Sequence, residues 1–316
     1  MRRIVDDLDR LDEFLPYLRR LALRHRKFGL RAAHYDAFGT SLLATLAQFC
    51  GPRWTDRSAD AWATGYGLVA DVMLEAAADE DTARPPYWEG EIVEHTMLAD
   101  DIARVVVRPL EDPQRPGPYA FAAGQYAALE CGELVRVWRD FSFASAPESG
   151  SGLGVEFHIQ SGRAGGVSEA LVRRAAVGDR LRIAAAEGEL AFPDIARADR
   201  LLAVAHGTGA APVLALLEAA LAHGDLRPTT LLLVSESGPH YLAGRFEELA
   251  GKHGALTVEE VDGDPLAAVR AHGAATGPGG VCGAVLVGPS TMVEACREAL
   301  IRAGVDPTDI SSDLFD

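Results

Sequence analysis

The second half of the chain constrains its own fold most tightly. An unbroken apolar run, Leu201–Ala205, leads into the glycine turn His206-Gly207-Thr208-Gly209-Ala210-Ala211-Pro212 and then into a helical stretch, Val213–Ala222. The alternation repeats through strand Thr230–Val234, helix Gly244–Lys252, strand Leu256–Val261, helix Pro265–Ala271, strand Gly283–Val287 and helix Thr291–Ala303. Strands that are apolar on both faces belong to a parallel sheet covered by helices on both sides. A doubly wound α/β sheet is therefore expected, with ligands at the carboxyl ends of its strands.

The middle of the chain has another rhythm. Short alternating runs, Glu91–His95, Ile102–Arg108, Tyr126–Glu130, Val135–Phe143, Val155–Gln160 and Arg180–Ala184, are separated by Gly and Pro, as in an antiparallel β-barrel. Within it, Arg139-Asp140-Phe141-Ser142 would place a guanidinium, an aromatic ring and a hydroxyl close together on one strand, with Leu134–Trp138 read as its leading half. A dinucleotide flavin needs a cation for its pyrophosphate, an aromatic face for its body and a small donor at its reactive edge. Taken alone, the motif is equally an ordinary strand with a surface arginine. About 25 residues on, Gly162-Arg163-Ala164-Gly165-Gly166-Val167-Ser168 opens the helix Glu169–Ala175, and exposed amides at a helix start form an anion site. The alternative there is a glycine turn with Ser168 as N-cap.

Residues 1–82 read as helices. Leu11, Phe14, Leu15, Leu18, Leu21 and Ala22 form one apolar stripe that His25 continues, with Asp12 as N-cap and Pro16 in the first turn. A second helix is expected over Arg31–Phe49, and a third after Thr55 carrying Ala61, Trp62, Tyr66, Val69, Ala70 and Met73. His25 is either part of a solvated basic helix end, beside Arg24, Arg26 and Lys27, or a haem ligand oriented by Tyr35. The charged run Asp79–Pro86, ending in Pro-Pro, reads as a boundary. The expected domains are 1–82, helical; 83–197, the flavin barrel; and 198–316, the nucleotide sheet.

A formal charge of −16 argues against a nucleic-acid groove and against an anionic membrane surface. Met1–Asp7 is too charged for a secretory signal. Cys50, Cys131, Cys282 and Cys296 lack CxxC spacing and suggest neither zinc nor disulfides, which fits a reducing cytoplasm.

Together these motifs carry a resemblance. Leu15-Pro16, His25-Arg26-Lys27-Phe28-Gly29, His34-Tyr35, Gly39, Leu42-Leu43, Ala61-Trp62 and Tyr66-Gly67 resemble the latter half of the globin domain of flavohaemoglobins, from the end of helix E through F, G and H. Helices A to D and the distal tyrosine and glutamine have no counterpart, and the family's proximal glutamate would fall on Ala77. The resemblance implies His25 as proximal haem ligand, Tyr35 as its hydrogen-bonding partner and Arg24 near haem and flavin. The rest resembles the ferredoxin-reductase superfamily. Pro118-Tyr119 and Gly124-Gln125-Tyr126 lead to Arg139–Ser142 and to Gly165-Gly166-Val167-Ser168 as FAD elements. Gly207–Pro212 matches the turn under the nicotinamide, and Gly288-Pro289-Ser290-Thr291-Met292 a later turn with Val287 in place of its cysteine. Phe315 matches the aromatic that covers the flavin, and Asp313 a nearby carboxylate; the alternative is a frayed terminus. Phe141 stands where the family usually has tyrosine. Glu236, after the second strand of the sheet, would repel a 2′-phosphate and accept from a ribose hydroxyl, so NADH is favoured over NADPH.

The expected function is that of an FAD-dependent NADH oxidoreductase passing electrons to haem b, with nitric oxide dioxygenation of O2 and NO implied by the resemblance. The competing readings are a haem-free NADH:flavin reductase serving a separate haem-protein acceptor, and a non-enzymatic redox sensor.

Overall fold

A computed structural model describes residues 11–81, 84–111, 118–147, 152, 154–193, 200–273 and 283–315. The expected boundaries at 82/83 and 197/198, the segment Met1–Asp7 and Cys282 lie outside the described residues, as do the side chains of Leu11 and Asp12. The chain falls into two compact units, Met1–Trp88 with Glu111–Gly117 and Glu89–Leu110 with Pro118–Asp316.

The first unit holds α1 (Leu11–Arg26), α2 (Ala32–Cys50) and α3 (Asp56–Asp81). Phe14, Leu18 and Ala22 recur every four residues on α1, so they share one face, and they are buried against Val69 and Met73 of α3. Pro16 sits within α1, not in its first turn, and Asp12 is likewise inside the described helix, so its capping role is not seen. Thr55 does cap α3: its hydroxyl accepts from the Ser58 amide at 3.2 Å. Gly39 of α2 is buried beneath Tyr66, whose ring atoms lie 2.5 Å from where a Cβ would stand. The Tyr66 hydroxyl donates to the Tyr35 carbonyl at 2.7 Å, tying α3 to α2.

The second unit begins with a six-stranded sheet. Its strands are β1 (Tyr87–Ala99), β2 (Ile102–Pro109), β3 (Tyr126–Cys131), β4 (Arg139–Ser142), β5 (Val155–Gln160) and β6 (Arg180–Ala184). They run in the order β4-β3-β6-β1-β2-β5. A bridge between Phe143 and Phe157 brings the two edges together, making a near-closed antiparallel barrel. Val105, Phe143, Phe157, Ile159 and Ile183 fill it, each fully buried. The expected strand over Leu134–Trp138 is a turn instead. Arg136 takes a left-handed φ of 65° there, its amide held by the buried Glu130 carboxylate. Leu134 and Val137 reach the barrel core from this turn while Val135 is exposed, so its apolar residues do not share one face of a strand. Helix α4 (Val167–Arg173) follows β5; its N-cap is Gly166, so Ser168 lies inside the helix.

The parallel sheet comprises β7 (Leu201–His206), β8 (Thr229–Ser235), β9 (Leu256–Asp262), β10 (Gly283–Pro289) and β11 (Ile310–Phe315), in the order β11-β10-β7-β8-β9. Helices α5 (Ala210–His223), α6 (Ala243–Lys252), α7 (Leu266–Gly273) and α8 (Ser290–Arg302) connect them. Two buried clusters on opposite faces, one with Phe246 and Leu217 and the other with Val269 and Leu300, confirm the doubly wound architecture. The tail is no frayed end: Ala284 pairs with Ile310 and Pro289 with Phe315 in a parallel ladder. Among the described residues, no helix is long and apolar enough to cross a membrane.

Candidate functional site

The barrel and the parallel sheet, which lie in one unit, enclose a cavity of about 490 Å³. Strand β4 contributes Asp140, Phe141 and Ser142, and Tyr126 stands directly opposite Ser142 in the β3–β4 ladder. From the glycine loop come Gly162 and Ser168. The Ser168 hydroxyl accepts from the Gly162 amide at 3.2 Å, folding the loop over the helix start. The sheet adds Thr208 and Gly209, and β11 adds Asp313, Leu314 and Phe315. Four segments separate in sequence thus meet at one space with ring faces and hydroxyls.

Gly209 is the tightest point. A Cβ there would lie 2.9 Å from the Val287 carbonyl oxygen and 3.1 Å from the Phe315 ring. The ring of Phe315, 39% exposed, therefore leans on the glycine turn from the end of β11. Gly207 has a φ of +53°, a conformation that glycine adopts freely. Asp313 has its carboxyl raised above the usual range, first by burial and then by the neighbouring Asp140.

Other expected residues sit elsewhere. Arg139 is exposed, and its guanidinium donates to its own neighbour's carbonyl, Trp138, at 2.8 Å. Gly165, with a φ of +77°, and Gly166 shape the loop, and Val167 is buried under it. Ala210, Ala211 and Pro212 are buried in the first turn of α5, where they set the path of the turn and leave Thr208 and Gly209 to face the space. Gly288 and Pro289 close β10, where Gly288 permits the close approach of Met292 and His206. Glu236 is exposed just past β8, at the carboxyl end of the sheet.

Sequence reasoning missed His158. This residue is buried, lines the same cavity and binds on both ring nitrogens: Nε2 to Glu156 at 3.0 Å and Nδ1 to the Tyr241 hydroxyl at 3.2 Å. Glu156, His158 and Gln160 alternate with the core residues of β5, so they had looked like the solvent face of a strand. Burial works to raise the Glu156 pKa, but hydrogen bonds from His158 and Arg104 outweigh it and hold the carboxyl below the usual range.

The helical unit has a second cavity, of about 550 Å³, lined by apolar and aromatic residues including Leu42, Trp62, Val69 and Met73. His25 and Tyr35 both line it. The orienting partner of His25 is the Leu21 carbonyl, 2.6 Å from Nδ1, where Tyr35 had been expected. A carbonyl one turn earlier is the nearest acceptor for a ring at a helix end, and Tyr35 serves as cavity wall. Because a carbonyl only accepts, Nδ1 carries the proton, and Nε2 is left as the basic nitrogen that a metal needs. An apolar slot with one such nitrogen fits a flat iron-bearing ring. Among the described residues no cluster of three or more His, Cys, Asp or Glu gathers as for a protein-only metal site.

The sequence model of the Globin family matches residues 1–73. A flavohemoprotein of Chromobacterium violaceum is 29% identical over 272 residues, which make up 81% of this chain and 65% of that relative. The chain therefore spans just under two thirds of that relative's length. The structure of a flavohemoglobin from Malassezia yamatoensis with bound FAD and heme superposes with a TM-score of 0.74, at 20% identity, over 95% of this chain and 79% of that one. An Amycolatopsis cytochrome P450 reductase, GcoB, matches at a TM-score of 0.61 and 26% identity, over 73% of this chain and 71% of that one. The globin match in the helical part and the flavohemoprotein likeness that continues through barrel and sheet agree: the chain is similar to flavohemoproteins along most of its length, and its second half is also similar to reductases of the ferredoxin and P450 type.

Proposed function

We propose that the chain is an FAD-dependent NADH oxidoreductase of flavohaemoglobin type, organised as domains 1–82, 83–197 and 198–316, that passes electrons from NADH through FAD to a haem on His25. Its overall reaction would be the oxidation of nitric oxide with O2 to nitrate, in the cytoplasm. The observation that carries this reading is the meeting of Ser142, Thr208 and Phe315 at one cavity. Bound FAD supplies the conversion of a hydride into single electrons, and haem supplies the oxygen chemistry. The chain supplies geometry. The Ser142 hydroxyl is offered to the reactive edge of the flavin, Phe141 and Phe315 give flat apolar faces, and Tyr126 stands beside Ser142. The loop amides at Gly165–Ser168 and the Arg139 guanidinium, once released from its own backbone, suit a pyrophosphate. Asp140 and Asp313 lie at the edge of the ring site. The turn Gly207–Pro212 gives the nicotinamide close backbone approach, with Gly288 and Pro289 beside it. Glu236, a carboxylate at the carboxyl end of β8, suits a ribose hydroxyl and disfavours NADPH.

A second reading has its own support. Phe38 and Phe49 of α2 are 54% and 82% exposed, so the helical unit shows an uncovered apolar face. Such a face suits an NADH:flavin reductase that delivers electrons to a separate haem protein. Reconstitution with FAD and with haemin separates the two. The first reading expects a flavin spectrum, a Soret band that His25→Ala removes, and bleaching of both by NADH. A flavin spectrum bleached by NADH with no Soret band selects the second. A chain that stays colourless with FAD ends both.

A further inference from the structure

A partly buried polar chain links the barrel to the sheet beside the candidate cavity. It begins on the barrel, where Arg104 donates to the Glu156 carboxylate at 2.7 Å. Glu156 in turn accepts from His158 Nε2 at 3.0 Å. With Nε2 protonated, Nδ1 accepts from the Tyr241 hydroxyl at 3.2 Å, and Tyr241 precedes α6 of the sheet. Its neighbour His240 continues the path, the two rings in tilted contact with centroids 4.7 Å apart. His240 Nδ1 accepts from the Leu242 amide at 3.1 Å, so Nε2 carries the proton and donates to the Gly207 carbonyl at 3.0 Å. Gly207 opens the turn whose next two residues, Thr208 and Gly209, wall the cavity.

The flavin-facing wall, Phe141 and Ser142, belongs to the barrel, and the nicotinamide turn belongs to the sheet. Hydride transfer needs its two atoms about 3–3.5 Å apart, and a misplacement of about 1 Å costs roughly a hundredfold in rate. Apolar contacts between the halves resist separation but permit sliding; a directional hydrogen bond does not. We propose that His158 and Tyr241 are positioning residues for hydride transfer, fixing the Gly207–Gly209 turn against the barrel wall through the His240–Gly207 bond. The proposal rests on the flavin–nicotinamide reading of this cavity. Neither residue is asked to exchange a proton with a cofactor.

The test uses the full chain loaded with FAD. Tyr241→Phe removes one hydroxyl and keeps the ring. Its expected signature is unchanged FAD content and NADH KM within about twofold, with flavin bleaching by NADH in single turnover about tenfold slower. The circular dichroism of the flavin band with NAD bound should shift as well. His158→Leu should match it, and His158→Gln should recover most of the rate, because an amide can accept from Tyr241 and donate to Glu156. A bleaching rate for Tyr241→Phe within twofold of the parent would overturn the proposal. So would a slowing that comes only with lost FAD or a raised KM, because that marks a merely structural pair. If the parent chain itself takes up no FAD, the underlying reading has failed; a normal parent beside an unaffected Tyr241→Phe removes the positioning pair alone.

Discussion

Single residues decide what this cavity tolerates. Asp313 has a folded-state pKa above its unfolded value, because burial and Asp140 oppose its ionised form. A raised carboxyl pKa means that stability is highest below the unfolded value and is lost as pH rises through the folded one. Asp313→Asn is therefore expected to raise the melting temperature at pH 8, with the gain vanishing near pH 4. Melting curves at the two pH values check this, and a variant destabilised at pH 8 would contradict it. At this scale the sequence was informative wherever a side chain keeps one role in every context. Ser142, Thr208 and Phe315, expected from separate motifs, do line one cavity. His158 was not foreseen, because alternation in β5 distinguishes two faces of a strand without saying which face a second layer will cover. Tyr35 was legible as a cavity residue, yet its expected bond to His25 was not found, since the Leu21 carbonyl is closer at hand.

Elements were read well where period and punctuation agree. The apolar strands and glycine turns of the sheet left little room for another fold, and only the ends of β7–β10 and their helices differ by a residue or a few. One element was misread, and another was named by its residues without its strand being foreseen. Leu134–Trp138 alternates like a strand but follows Gly132, and its buried anchor Glu130 makes a turn of it. Ile310–Phe315 looks polar and terminal, yet the free edge of β10 gives it a complete parallel ladder. That ladder sets the packing at Gly209. Gly209→Ala would bring a methyl within 2.9 Å of the Val287 carbonyl, and backbone cannot swing aside as a side chain can. The expected cost is about 1–3 kcal/mol in urea unfolding, together with weaker FAD retention as β11 is pushed from β10. Full stability with normal FAD content would show that the turn has slack.

The described chain divides into a helical unit and a barrel-and-sheet unit, each with its own core. Units with separate cores unfold in separate steps unless a large interface couples them. Calorimetry of the chain should then show two transitions. FAD at a hundred times its dissociation constant stabilises the state that binds it by about 2.7 kcal/mol, so on the proposed function only the transition of the barrel-and-sheet unit should move up. A single transition, or equal shifts in both, would show coupling that the division does not predict. The succession of helices, antiparallel barrel and parallel sheet was visible in the sequence because each part has its own hydrophobic period. Its expected boundaries, 82/83 and 197/198, fall outside the described residues.

The Phe315 ring reaches the cavity only because β11 zips onto β10, and it follows every other wall of that cavity along the chain. During synthesis the barrel strands, the loop and the glycine turn all emerge before it. The walls of the cavity are therefore completed in chain order, and the side that Phe315 forms stays open until β11 has paired with β10.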